Sequence, residues 1–81
     1  MDNRTLAQRL VGLARTLEGE HASLFRVRAY RRAAETILGL DRPVEELVEK
    51  GGRTTLQDLP GIGRSLSRTI ENLVRGVEPA E

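Results

Sequence analysis

The 81-residue chain contains no cysteine and only one histidine, His21. Disulfide bonds, thiolate-bound zinc and the common histidine metal sites are therefore excluded, and packing alone has to hold the fold together. No run of apolar residues is long enough to cross a bilayer, and the first residues lack the pattern of a signal peptide. We therefore expect a soluble intracellular protein without a membrane partner.

Aromatic residues are also scarce. Phe25 and Tyr30 are the only two, so the interior has to be built from leucine, valine, isoleucine and alanine. A chain of this length buries only about 60–65% of its unfolded surface, which limits it to one small domain with a thin core. No alternating β-strand pattern, tandem repeat or low-complexity segment is present. The expected fold class is all-α.

Lysine is nearly missing too, because Lys50 is the only one among 13 basic residues. Arginine carries a planar, permanently charged fork that suits phosphate, but it cannot act as an amine nucleophile. The formal net charge is only +1, yet the arginines concentrate in residues 23–42 and 51–77. Acidic residues gather instead at Glu45, Glu46 and Glu49, which we interpret as a solvated helix face. The pattern predicts a dipolar molecule with two positive segments.

Two long amphipathic helices are predicted in the first half of the chain. The first is capped by Asp2 or Asn3 and ends at Gly19. The second is capped by Ser23 and runs to about Leu38. Their apolar faces consist of Leu6, Leu10, Leu13 and Leu17 in the first helix and of Val27, Tyr30, Ala34 and Ile37 in the second.

Three shorter helices are predicted in the second half. The third has Pro43 in its first position and ends at Gly51–Gly52, and a single turn from Thr54 or Thr55 stops at Pro60. The last helix follows Gly63 and closes at Gly76, and residues 77–81 form a frayed tail. The inward residues are Val44, Leu47, Val48, Leu56, Leu59, Leu66, Ile70 and Leu73. Residues 1–76 are thus expected to form one compact bundle of four to five short helices.

The most specific feature is the segment from Leu59 to Gly63, which joins the last two helices. Two glycines around Ile62 allow a sharp turn and leave no side chain between the main-chain N–H groups and an anion. The following helix adds unpaired N–H groups and the positive end of its dipole. The pattern favours a phosphate-binding turn, with Ile62 pointing into the core. The alternative is an ordinary turn between two helices.

Residues 59–63, Leu-Pro-Gly-Ile-Gly, resemble the hairpin of the helix-hairpin-helix motif in DNA repair and replication proteins. Residues 25–34, Phe-Arg-Val-Arg-Ala-Tyr-Arg-Arg-Ala-Ala, resemble the N-terminal, lyase-type domain of family X DNA polymerases. Residues 43–47 support the same alignment, and the resemblance extends from about Leu6 to Gly76 in the family's order. It implies that residues 1–76 form a single helix-hairpin-helix DNA-binding domain, with the hairpin at residues 59–63.

The resemblance also implies roles for individual residues. Amides of Gly61, Gly63 and Ser65 would meet phosphate oxygens. Carbonyls of Gln57, Leu59 and Ile62 would hold Na⁺ or K⁺ between the hairpin and DNA. Arg26 and Tyr30 match positions that contact a 5′-phosphate, and Phe25 matches one that stacks on a base. We add Arg28, Arg31, Arg64 and Arg68 to the DNA-binding set, because they lie in the two positive segments.

Lyase activity in some members of that family needs a Schiff-base lysine on the helix after the hairpin, and the matching position here is Thr69. A hydroxyl cannot form an imine. Lys50 belongs to another helix end, where capping is its simpler role, and the N-terminal amine is a remote substitute. We therefore expect a non-enzymatic protein that requires no cofactor and works in DNA repair or replication, in the cytoplasm of a bacterium or archaeon near its nucleoid.

Several alternatives stay open. The same fold can serve as a protein-docking module, with a protein partner or a second copy, or the chain can be an excised N-terminal domain of a family X polymerase. The arginine-rich face of the second helix can simply confer solubility. Phe25 can be a packing residue at the helix start rather than a stacking platform. Tyr30 is expected to be partly buried, and His21 to be a solvated loop or cap residue.

Overall fold

The computed structural model describes residues 1–76, which form five α-helices and, within that range, no strand. They are α1 (Asn3–Gly19), α2 (Leu24–Leu38), α3 (Val44–Gly51), α4 (Arg53–Gln57) and α5 (Arg64–Arg75). The predicted all-α bundle is confirmed, whereas the predicted tail at residues 77–81 lies outside the described residues. No helix in the described range is long and apolar enough to cross a membrane.

Side-chain caps begin the two long helices where the sequence predicts them. The carboxylate of Asp2 accepts the N–H of Thr5 at 2.7 Å, and the hydroxyl of Ser23 accepts the N–H of Phe25 at 3.1 Å. Each cap satisfies a donor that the first helical turn leaves unpaired. The hydrogen bond from the Thr5 amide also lowers the pKa of Asp2 below its ordinary value.

The first helix ends at Gly19, as predicted. Gly19 itself is helical, and the chain reverses two residues later at His21, which has a left-handed φ of 59°. The N–H of Ala22 bonds to the carbonyl of Leu17 at 2.9 Å and that of His21 bonds to Glu18 at 3.1 Å. This pair of bonds is a Schellman motif, in which glycine usually occupies the left-handed position. The predicted cap role of His21 is therefore confirmed.

The start of α3 depends on a residue distant in sequence. Pro43 is the cap rather than the first helical residue, and it offers no side-chain cap. The carboxamide of Asn3 substitutes for one, because its Oδ1 accepts the N–H of Val44 at 2.8 Å and its Nδ2 donates to the carbonyl of Arg42 at 2.7 Å. One side chain thereby joins the beginnings of α1 and α3. A smaller difference is that α4 begins at Arg53, before the predicted Thr54 or Thr55.

Residues 20–23 fold α2 back along α1, and α5 packs beside α3 and α4. The core contains every predicted inward residue of α2, and Ala33 is fully buried where the helices meet. Its buried members are Leu6, Ala7, Leu10, Ala14, Val27, Tyr30, Ala33, Ala34, Ile37, Val44, Val48, Leu56, Ile62, Leu66 and Ile70. Leu13, Leu17, Leu47, Leu59 and Leu73, also predicted to face inward, are partly buried around it. The carboxylate of Glu71 links α4 to α5, since it lies 3.8 Å from both Arg53 and Arg75.

Candidate nucleic-acid interface

The hairpin between α4 and α5 is anchored in the core by Ile62, which is only 4% exposed. After α4 ends at Gln57, the N–H of Leu59 still bonds to the carbonyl of Leu56, and Pro60 prevents any further helical turn. The N–H of Ile62 then bonds to the carbonyl of Leu59 at 3.2 Å. Gly61 and Gly63, on either side, are both exposed. The predicted geometry, an inward aliphatic residue between two outward glycines, is confirmed.

Gly61 is glycine because the fold requires it. Its φ is +78°, in the left-handed region that costs a residue with a side chain roughly 1–2 kcal/mol. A Cβ atom there would also lie 3.1 Å from both Cδ and Nε of Arg32, a residue of α2. A side chain at position 61 would therefore be strained in its backbone and crowded by Arg32.

Gly63 is different, because the fold places no such demand on it. Its φ of −95° and ψ of −166° lie in the extended region open to other residues, and a Cβ atom would meet nothing within 4 Å among the described residues. Gly63 caps α5 without a side-chain hydrogen bond, whereas serine, threonine, asparagine or aspartate would stabilise a helix start better. The folded structure by itself gives no reason for a glycine here.

The main-chain donors around Gly63 belong to exposed residues and are left unpaired. The first backbone hydrogen bond that closes α5 runs from the N–H of Ser67 to the carbonyl of Gly63 at 2.9 Å. Within residues 1–76, the N–H groups of Gly61, Gly63 and Ser65 donate to no acceptor. These donors lie in the first turn of a 12-residue helix or just before it, at the positive end of its dipole. Together they form a set of donors suited to an anion.

A buried polar contact holds this donor set in place. Ser67 is completely buried, and its hydroxyl donates to the carbonyl of Arg64 at 2.8 Å while accepting Nε2 of Gln57 at 3.4 Å. The contact joins the end of α4 to the first turn of α5. Sequence reasoning overlooked Ser67, although its position next to Leu66 and three residues before Ile70 places it on the inward face of α5.

The hairpin is also bonded to α2, which sequence reasoning did not foresee. The hydroxyl of Thr36 donates to the carbonyl of Pro60 at 2.8 Å. One turn earlier on the same face, the side chain of Arg32 lies against Gly61. These contacts bring the predicted hairpin and the predicted arginine-rich helix together on one side of the molecule.

A family model described as a helix-hairpin-helix domain matches residues 1–77. The chain belongs to this family. Helix-hairpin-helix domains generally bind DNA without reading its sequence, which agrees with a site made of main-chain donors. No curated protein matches the chain.

The side chains predicted to bind DNA in this helix-hairpin-helix domain differ in their exposure to solvent. Arg26 and Arg28 on α2 and Arg64 and Arg68 on α5 are exposed, as is Arg31, which pairs with the carboxylate of Glu18. Phe25 is 82% exposed, so it does not pack at the helix start as one alternative proposed. Tyr30 is 9% exposed and packs in the core, as expected from its spacing.

The carbonyls with a predicted cation role belong to the end of α4 and to the hairpin. Leu59 already accepts the N–H of Ile62, which uses one of its two lone pairs. Within the described part of the chain, the carbonyls of Gln57 and Ile62 accept no hydrogen bond. Neutral oxygen donors of this kind suit a hard monovalent cation, so the donor chemistry fits Na⁺ or K⁺.

The residues relevant to lyase chemistry lie apart from one another. Thr69 is half-buried on α5, and its hydroxyl donates to the carbonyl of Ser65 at 3.2 Å. Lys50 lies in the last turn of α3, where its positive charge interacts favourably with the negative end of the helix dipole. The amine of Met1 pairs with the carboxylate of Glu45. Neither amine belongs to the helix that carries Thr69.

Proposed function

We propose that this helix-hairpin-helix domain grips the sugar-phosphate backbone of DNA, without sequence selectivity, through the main-chain amides of Gly61, Gly63 and Ser65. The observation that carries the proposal is Gly63. Its conformation and its open surroundings would accept a side chain, yet the residue there is glycine. A phosphate that approaches the amides closely supplies the missing reason, because a Cβ atom would stand in its way.

Arginines add charge around this donor set. Arg64 and Arg68 extend from the helix whose amides face the phosphate, and Arg26, Arg28 and Arg31 extend from α2. Neutralising roughly two to four phosphates corresponds to a log–log salt slope of about −2 to −4 and a Kd on the order of 10⁻⁴ to 10⁻⁶ M. Such weak binding suits a domain that acts with a tethered partner or at a DNA end.

A recessed DNA end is the form we favour, in repair or replication. The exposed ring of Phe25 offers a surface for an unpaired base, and Arg26 and Tyr30 would face a terminal 5′-phosphate. Because Tyr30 is packed in the core, its role would be limited to its outer edge. A duplex without a gap lacks both the free base and the terminal phosphate. This role, in the cytoplasm, fits either a free-standing domain or the N-terminal part of a family X polymerase.

A monovalent cation would complete the hairpin. The carbonyls of Gln57, Leu59 and Ile62 would hold Na⁺ or K⁺, which supplies a positive charge to a phosphate oxygen when it is bound. The cation neutralises charge and takes part in no bond-making step. Replacing potassium by a bulky organic cation at constant ionic strength tests this part, since affinity should fall if the cation bridges hairpin and DNA.

We further propose that the domain binds without excising a deoxyribose phosphate. Excision through a Schiff base needs a primary amine beside the sugar. Thr69 provides a hydroxyl that is already bonded to Ser65, and the amine of Lys50 lies on another helix. The chain's own groups would therefore hold the 5′ side of a gap for another catalyst.

Docking of a protein partner is the second candidate function. Leu24 and Phe25 are adjacent, apolar and 68% and 82% exposed, an arrangement that also suits a protein surface. A docking module would keep its partner when the hairpin amides are obstructed. A substitution at Gly63 therefore distinguishes the two functions, because it should weaken DNA binding and leave binding of a protein partner unchanged.

The decisive experiment compares Gly63→Val with Gly12→Ala in a DNA titration. A Cβ atom meets nothing within 4 Å among the described residues at either position, so both sites have room for the first atom of a side chain. Losing one charge-assisted hydrogen bond of about 1.5–3 kcal/mol should weaken DNA binding roughly 10- to 100-fold in Gly63→Val. Gly12→Ala should bind like the wild type. Equal affinities for the two variants would contradict the proposal, provided that circular dichroism shows both to be folded.

A further inference from the structure

Arg32 occupies a position that none of the other arginines of α2 shares. Its Cγ, Cδ and Nε atoms all lie 3.1–3.2 Å from the point where Gly61 would carry a Cβ atom. The stem of the side chain therefore lies against the bare backbone of the hairpin. The guanidinium, which begins at Nε, is held beside the turn that presents the free amides.

The contact is reinforced one turn later on α2. Residues four apart lie on the same helix face, so Arg32 and Thr36 both point towards the hairpin. The bond from the Thr36 hydroxyl to the Pro60 carbonyl, 2.8 Å long, fixes that face against the residue before Gly61. Arg32 is thus placed by a specific tertiary contact rather than by the flexibility of a surface side chain.

Charge pairing also separates Arg32 from Arg31, the residue next to it. Arg31 forms an ion pair with Glu18 and is partly neutralised. Arg32 pairs with no carboxylate among residues 1–76. Arg26 lies roughly 120° around the helix from Arg32, whereas Arg28 lies on the same face one turn earlier. Arg32 therefore lies against the hairpin and also carries a positive charge that no carboxylate in the described residues pairs with.

We propose that Arg32 is the arginine of the phosphate site, and that its guanidinium binds the same DNA phosphate that the hairpin amides hold. The inference rests on the proposed function and names the side chain that supplies its positive charge. The two glycines then have separate tasks: Gly61 leaves room for the stem of Arg32, and Gly63 leaves room for the phosphate. A planar fork can contact two phosphate oxygens while the amides bind another.

The test compares Arg32→Gln with Arg15→Gln in a salt-series titration against gapped DNA that carries a 5′-phosphate. Both changes remove one positive charge, but Arg15 lies on α1 in a groove formed with Gly12 and Leu38. Removing a phosphate contact should reduce the log–log salt slope of Arg32→Gln by about one and weaken binding about tenfold. Arg15→Gln should keep the wild-type slope. An equal slope in the two variants overturns the assignment.

One more variant, Arg32→Lys, separates DNA binding from support of the fold. Arg32→Lys keeps the charge and should keep the salt slope, while its affinity falls because the fork is lost. If Arg32→Gln changes only the melting temperature, Arg32 merely covers Gly61 and the inference fails. If the wild-type domain binds no DNA at all, the proposed function itself fails.

Discussion

The hydroxyl of Thr36 donates a hydrogen bond of 2.8 Å to the carbonyl of Pro60. The two residues are 24 positions apart, and their bond ties the arginine-rich helix α2 to the hairpin. Helix and hairpin would otherwise present their positive groups independently. This bond sets the spacing between Arg32 and the free amides of α5.

Replacing Thr36 by valine should therefore affect both stability and DNA binding. The change keeps the shape of the side chain but leaves the Pro60 carbonyl without its donor, at a cost of about 0.5–1.5 kcal/mol in the free energy of unfolding. Affinity for gapped DNA should fall as well, because α2 no longer holds its position. Urea denaturation and a DNA titration measure the two effects.

Thr16→Val is the matched control for that experiment. The Thr16 hydroxyl donates to the carbonyl of Gly12, four residues earlier in its own helix, at 3.2 Å. Its loss removes a local bond on α1 and nothing at the hairpin. If Thr36→Val and Thr16→Val behave alike in the titration, the bond to Pro60 has no part in organising the site.

His21→Gly should stabilise the domain. The left-handed φ of 59° at His21 costs a residue with a side chain about 1–2 kcal/mol, and glycine removes that cost while losing about 0.5–1 kcal/mol of chain entropy. A net gain of roughly 0.5–1 kcal/mol is expected in urea denaturation. His21→Ala, which keeps the Cβ atom, should bring no such gain, and a stabilised alanine variant would argue against backbone strain.

Acid should weaken the cap at Asp2. The hydrogen bond from the Thr5 amide holds the pKa of Asp2 below its ordinary 3.8, so the cap's contribution is fully present above pH 3.8. It is lost as the pH falls through the lower pKa of the folded state. Urea denaturation at several pH values should show wild type and Asp2→Ala converging in acid. Asp2→Asn keeps a cap that does not titrate, so its advantage over Asp2→Ala should persist there.

Borohydride should trap no covalent adduct between the protein and incised abasic DNA. The helix after the hairpin carries Thr69 where an imine would need an amine. Denaturing electrophoresis of the reduced mixture is the measurement. An adduct that disappears in Lys50→Arg would reveal Lys50 as a nucleophile and refute a purely binding role.

Local rules predicted most of the fold. Asp2 and Ser23 were identified as caps because short polar side chains can accept the free N–H groups of a first turn. The burial of Ile62 and the turn around it also follow from local chemistry, since proline stops α4 and flanking glycines permit the reversal. The end of α1 at Gly19 was also predicted correctly, but the left-handed residue that reverses the chain is His21, which no local rule indicates.

Contacts between distant segments were beyond prediction from the sequence. Nothing local to Arg32 indicates that its stem rests on Gly61, and nothing local to Arg31 indicates that it pairs with Glu18. Such contacts depend on how two helices are rotated against each other, which apolar spacing constrains only to a broad face. The sequence therefore predicted the main-chain part of the candidate site, the turn around Ile62. It did not predict which arginines of α2 lie against that turn.

The Asn3 carboxamide has a consequence for the order in which the chain assembles on a ribosome. Asn3 is synthesised 41 positions before Val44, whose amide its side chain accepts. The helices α1 and α2 can pack against each other while this carboxamide still faces water. Closure of this contact then waits for the third helix, and it joins the start of α1 to the start of α3.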